Sequence, residues 1–186
     1  QFKNPGEWYL DRANGMLYYI PRNEEETAET IDVRAPISEK LIVISGQNEN
    51  PVTGLRFSDI TFSDTRGDYG SRQDVEGKTG EVFGSDAQAV SNAHGTIEVA
   101  YARNVVFSNC TLRNWGVHGF NIKEGCRSVK IEGCTLYDGG AGGVRICGGA
   151  WGAPEHQMTR GVTVSDCKIT HVGQRYFSAC GVLLMH

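Results

Sequence analysis

Four polar residues stand at one point of a recurring phrase in this 186-residue chain: Asp64, Asn114, Asp138 and His171. Each follows an apolar residue and one further residue, as in Phe62-Ser63-Asp64, Leu112-Arg113-Asn114, Leu136-Tyr137-Asp138 and Ile169-Thr170-His171. An acid and an imidazole at equivalent points of neighbouring repeats, as Asp138 and His171 are, can share a proton-transfer task. The same four positions equally suit a ladder of turn caps, because Asn and Asp bond local backbone and tolerate unusual dihedrals. A second polar set runs along the closing segment of the phrase. There alternation points Asn121, Arg145 and Leu183 outward, with Lys123, Cys147 and Met185 two residues on. Arg145 lies between GGAGG at 139–143 and the Gly148-Gly149 pair. Those glycines either permit tight turns or leave an open floor beside a guanidinium that can grip a carboxylate or hydroxyls. His118 falls at the preceding turn, and His186 stands two residues beyond Leu184.

The elements that must position these groups follow from the repeat itself. Residues 104–123 (NVVFSNCTLRNWGVHGFNIK) are echoed by 128–147 (SVKIEGCTLYDGGAGGVRIC) at a spacing of 24, and again by 161–185 at a spacing of 33. A period in this range marks a stacked-repeat architecture. Within each copy the apolar residues alternate, as in Val105/Phe107, Phe120/Ile122, Val129/Ile131 and Val144/Ile146, which reads as short strands with one buried face. Several short strands per repeat, punctuated by Gly, Asn and Asp, predict a parallel β-helix of about four to five coils, equivalent residues stacking about 4.8 Å apart. Leu55, Phe57, Ile60 and Phe62 fit an earlier coil, and Ile97/Val99 the strand that closes it. Ile31/Val33 and Leu41/Val43 read as strands before that. Residues 7–20 read as a β-hairpin around Asn14-Gly15. The expected organisation is therefore a hairpin and connecting segment over 1–30, followed by β-helix coils over 31–186.

Composition narrows the function. A net charge of −4 with no basic patch argues against a nucleic-acid partner, and no apolar run approaches the length of a membrane span. Cys110, Cys134 and Cys167 share one column and read as small, reduced, buried residues, while CxxC and HxxxH spacings for a metal are lacking. No metal and no cofactor are expected. Ending at His186, inside the strand that closes the third copy, the chain reads as part of a longer protein with further coils.

Three insertions break the period, at 64–92, 147–160 and 173–180, and insertions in repeat proteins tend to line one face. They carry Tyr69, Phe83, Trp151, Tyr176 and Phe177. Such aromatics either anchor long loops or stack on the C–H faces of sugars, and Trp151 and Tyr176 are the expected sugar platforms. Glu155-His156 is an acid/base pair by composition alone, Asn109-Cys110-Thr111 is a glycosylation sequon placed in a turn, Arg66-Gly67-Asp68 is a chance tripeptide, and Glu24-Glu25-Glu26 is a solvated loop.

The stretches PGEWYLDRANGMLYYIP, NPVTGLRFSDITFSD, GCRSVKIEGCTLYDGGAGGVRICGG and VSDCKITHVGQRYFSACGVLLMH together resemble landmarks of right-handed β-helix proteins of the pectate-lyase-like superfamily. The resemblance extends to the glycoside hydrolase family 141 type, with fucosidase and xylanase members, and to the β-xylosidases of family 120. It implies a secreted, periplasmic or cell-surface bacterial enzyme acting on an oligo- or polysaccharide by acid/base chemistry of two carboxyl groups. Asp138 is the residue that fits one of them, with His171 beside it. Arg145, His118 and His186 are then expected to hold substrate hydroxyls. Two other readings stay open: a pectate-type polysaccharide lyase using Arg145 as base, and a glycan-binding β-helix without catalysis.

Overall fold

The computed structural model describes residues 3–11, 13–23, 27–67 and 88–185. It divides into two compact units, residues 1–35 and 36–186. In the first, β1 (Trp8–Asp11) pairs antiparallel with β2 (Met16–Tyr19) in the register Trp8↔Tyr19 to Asp11↔Met16. Asn14-Gly15 closes a connection longer than a two-residue turn. The Asp11 carboxylate accepts the backbone N–H of Ala13 at 3.1 Å and of Asn14 at 3.2 Å, so it is the acid that shapes the turn.

The second unit is a parallel β-helix, as the repeat predicts. Its strands are β3 (Ile42–Ser45), β4 (Val52–Thr53), β5 (Arg56–Ser58), β6 (Thr61–Ser63), β7 (Gly95–Ala100), β8 (Ala102–Ser108), β9 (Thr111–Trp115), β10 (His118–Ile122), β11 (Arg127–Glu132), β12 (Thr135–Gly139), β13 (Val144–Ile146), β14 (Thr163–Ser165), β15 (Lys168–Thr170) and β16 (Val182–Leu184). They form three sheets. Sheet I stacks β3-β7-β10-β13-β16, sheet II stacks β4-β8-β11-β14 with β5 also on β8, and sheet III stacks β6-β9-β12-β15. The register is the one the 24-residue spacing implies. Phe57, Phe107, Ile131 and Val164 align across sheet II, and Phe62, Leu112, Leu136 and Ile169 across sheet III.

No single coil can bury its inward face; stacking makes the core continuous. Val105, Phe107, Leu112, Phe120, Ile122, Val129, Ile131, Leu136 and Val144 are each at most 1% exposed. Cys110, Cys134 and Cys167 form the expected free-thiol column. Each donates to a carbonyl one coil back: Cys110 to Phe57 (3.6 Å), Cys134 to Phe107 (3.6 Å) and Cys167 to Ile131 (3.4 Å). Burial pushes the Cys134 thiol up to about 11.

Sharp corners replace loops between sheets II and III, and this requires left-handed backbone. Asp59, Asn109, Gly133 and Asp166 occupy it there, and Asp64, Asn114, Asp138 and His171 occupy it where sheet III turns toward sheet I. Asn, Asp and Gly tolerate this region best.

Two strand expectations change. Ile31 and Val33 lie outside any strand. In β3 the inward residues are Ile42 and Ile44, not Leu41 and Val43, because Ile42 pairs with Ile97 and Ile44 with Val99. The run Leu41-Ile42-Val43-Ile44 is apolar in both parities, so only its neighbour sets which face is buried. At the last coil the inward residues Val182 and Leu184 are 48% and 75% exposed.

Candidate functional site

All three insertions adjoin sheet I. Residues 64–92 link β6 of sheet III to β7, residues 173–180 link β15 of sheet III to β16, and residues 147–160 lead from β13 to β14 of sheet II. The long connections thus all attach at strand ends of this one sheet. On that face Val43, Glu98, Asn121, Arg145 and Leu183 form a single outward column.

The centre of the column is polar and hydrogen-bonded. Glu98 is 7% exposed and Asn121 3%. Lys40 Nζ lies 2.7 Å from Glu98 Oε2, while Asn121 Nδ2 donates to Glu98 Oε1 at 3.3 Å and the Gly95 N–H to the same oxygen at 3.4 Å. On the other side Arg145 Nη1 donates to Asn121 Oδ1 at 2.7 Å and to Cys147 Sγ at 3.0 Å, and Nη2 donates to the Ser91 carbonyl. Burial raises the Glu98 pKa, but the Lys40 ammonium, the Gly95 N–H and the charge of Lys123 outweigh it, so the carboxyl sits below its ordinary value and stays ionised. Burial also pushes the Cys147 thiol up, against the lowering influence of Arg145.

Glu98 escaped the sequence reading. Alternation in Thr96-Ile97-Glu98-Val99 does point it outward, but the step from Ile97 to Phe120 is 23 residues, not 24, and Asn121 hid its counterpart. Lys40 gave no signal, since it precedes β3 and reaches its partner only through the coil.

Arg145 takes the outward position expected of it, but the floor beside it is not open. A Cβ on Gly142 would stand 2.5 Å from the Cys180 carbonyl and 2.8 Å from His118 Nδ1, and one on Gly143 would stand 2.8 Å from the Gly181 carbonyl. The glycines let neighbouring coils approach closely. His118 opens β10 and is fully enclosed, its Nε2 2.9 Å from the Val90 carbonyl. Together His118 and Arg145 hold two successive carbonyls, Val90 and Ser91, at the end of the 64–92 insertion. An enclosed imidazole offers nothing to substrate hydroxyls, so the expected role of His118 is replaced by this anchoring.

Tyr176 is corrected in the same way. It is 1% exposed, packs in a small second core with Val90, Ala93, Val117 and Ala141, and donates its hydroxyl to the Gly67 carbonyl at 3.3 Å. Its ring has no face for a sugar. Trp151 is 87% exposed on the 147–160 insertion. That insertion is tied down by Thr159, which donates to the Lys123 carbonyl and accepts the Cys126 N–H at 3.2 Å, and by Arg127, which donates to the carbonyls of Met158 and of Glu155, the latter at 3.1 Å. Phe177 is 77% exposed. Glu155 forms its ion pair with Arg160 at 3.1 Å, and not with His156. His186, Tyr69 and Phe83 lie outside the described residues.

Asp138 and His171 lie one coil apart in the left-handed corner column, with φ of 63° and 51°, and both are exposed. Gln174 bridges them, its Nε2 donating to Asp138 Oδ1 at 3.2 Å and to the His171 carbonyl at 3.0 Å. In the same column Asn114 Nδ2 donates to Asp64 Oδ1 at 3.0 Å. Among the described residues no cluster of His, Cys, Asp and Glu has the arrangement of a metal site.

No curated protein matches the chain. A solved structure named "Glycoside hydrolase" superposes with a TM-score of 0.75 at 23% identity, covering 98% of this chain and 36% of that one. The chain therefore spans about a third of that protein's length, and the likeness establishes a shared fold. The family described as "Right handed beta helix region" matches residues 40–186, the whole of the coiled unit from just before β3 onward. The chain belongs to the right-handed β-helix family.

Proposed function

We propose that this chain is part of a carbohydrate-active enzyme, a glycoside hydrolase that binds an oligo- or polysaccharide beside the outer face of sheet I. The observation that carries the reading is that all three insertions attach at strand ends of sheet I, the sheet whose outward column holds an ionised carboxylate, an amide and a guanidinium. Such a buried polar set on the outside of a sheet persists because its members are paired with one another, since each unpaired member would be costly. The likeness to a protein named "Glycoside hydrolase" supports the same reading.

In this reading Trp151 provides an exposed aromatic face at one rim, and Asp138 with His171 stands at the corner where sheet III turns into the other. Asp138 is one of the acid/base carboxylates of hydrolysis, and His171 stands one coil on as a second candidate for proton transfer. Polymeric substrates of this kind are met outside the cytoplasm, which favours a secreted, periplasmic or cell-surface enzyme.

The test is to assay the protein and its Asp138→Asn variant on aryl xylosides, aryl fucosides and plant glycans. Turnover by the variant should fall by about two to four orders of magnitude, the range of acid/base contributions, while its melting temperature barely moves. Unchanged turnover would remove Asp138 from the mechanism. Unsaturated products would identify a lyase instead, and binding without turnover would identify a glycan-binding protein.

A further inference from the structure

We propose that Glu98 is a positioning residue for the outer face of sheet I, acting through Asn121 to fix the guanidinium of Arg145 and, through it, the backbone at Ser91. Its functional consequence rests on the glycosidase reading above; the geometry does not.

The key is the polarity of one amide. Asn121 is 3% exposed and cannot turn to water. Its Nδ2 donates to Glu98 Oε1 at 3.3 Å and its Oδ1 accepts from Arg145 Nη1 at 2.7 Å. An amide has one donor end and one acceptor end. With a carboxylate on the coil before and a guanidinium on the coil after, only one of its two flips satisfies both neighbours. The other sets oxygen against carboxylate and NH2 against guanidinium. The charge on Glu98 therefore decides which way Asn121 points, and the Asn121 oxygen decides where Arg145 Nη1 rests.

Both ends of the relay are pinned. Glu98 is held at its second oxygen by Lys40 at 2.7 Å. Arg145 passes the constraint on, because its Nη2 holds the Ser91 carbonyl next to Val90, whose own carbonyl faces His118. Side chains from four successive levels of the helix, Lys40, Glu98, Asn121 and Arg145, thus form one connected line. Arg145 Nε is buried with no partner, so its planar group depends on the Nη contacts for orientation.

The experiment compares wild type with Glu98→Gln and Asn121→Leu, using two readouts. The first is the nuclear magnetic resonance signal of the Arg145 guanidinium N–H groups, identified by its loss in Arg145→Lys; it needs no substrate. The second is the split between KM and kcat on whichever glycoside the wild type turns over. Neutralising Glu98 lets Asn121 flip, so both variants should lose the slowly exchanging Arg145 signal. KM should rise about tenfold, the equivalent of one charge-assisted hydrogen bond, with kcat changed much less. The double variant should be no worse than the worse single one, since both act through one line. An unchanged Arg145 signal in folded Glu98→Gln overturns the relay, as does full additivity. If Glu98→Gln does not fold, Asn121→Leu decides the question alone, because it cuts the line with the carboxylate in place. A wild type inactive on every glycoside would sink the glycosidase reading and leave the guanidinium signal to judge the relay.

Discussion

Phe107 is the best probe of whether the coils stack as described. Its side chain is 0% exposed. Its ring stacks on Phe57, one coil back, at 4.7 Å between centroids and 8° between planes, and meets the edge of Phe120 at 5.0 Å and 73°. Replacing a buried Phe by Ala costs about 3–5 kcal/mol. Two aromatic partners, each worth about 0.5–1.5 kcal/mol beyond area, place Phe107→Ala near the top of that range. Phe57 is only partly buried against the core, so Phe57→Ala should cost distinctly less. Phe177 is 77% exposed on the 173–180 insertion, and Phe177→Ala should change stability by less than about 0.5 kcal/mol. The assay is urea unfolding followed by circular dichroism, with stability taken from midpoint and slope. Stacked repeats can lose cooperativity, so the comparison holds only where the slope is unchanged. The reasoning fails if Phe107→Ala lies within about 1 kcal/mol of Phe177→Ala, since a residue touching two rings across coils cannot be that dispensable.

Three further outcomes can be checked alongside the Asp138→Asn and Glu98→Gln experiments. All six cysteines are free, but in the native protein a thiol reagent should react promptly with exposed Cys180 and spare Cys110, Cys126 and Cys134 until unfolding. Burial pushes Cys126 and Cys134 from the ordinary 9.0 up to about 11, so above pH 9 the unfolded chain releases thiol protons that the folded one retains; these thiols add no pH dependence below about pH 9, and in a denaturant series stability should decline from there toward pH 11. At Gly116 a Cβ would overlap the Arg66 carbonyl and the Cα of Gly67, which are backbone atoms without side-chain freedom to yield. Gly116→Ala should therefore cost about 1–3 kcal/mol or more, read as a lowered melting temperature.

The sequence alone determined the strands, their inward faces and their register, because a period near 24 with strict alternation has only one way to bury Phe107, Ile131, Leu112 and Leu136 together. It also determined the corner column and the thiol column, since residues at one point of every repeat must stack. It failed where alternation carried no information, as in Leu41-Ile42-Val43-Ile44, whose buried face was chosen by the partner strand β7. Burial of polar and aromatic groups was decided by the tertiary structure. His118 and Tyr176 look like surface candidates by type, but the ends of the 64–92 insertion fold back over them, which no local spacing records. The Lys40–Glu98–Asn121–Arg145 line is likewise a tertiary product. Its members are separated by 58, 23 and 24 residues along the chain. They meet because stacking in a β-helix converts those separations into neighbouring rungs, where a charge and an amide can act on one another at hydrogen-bond range.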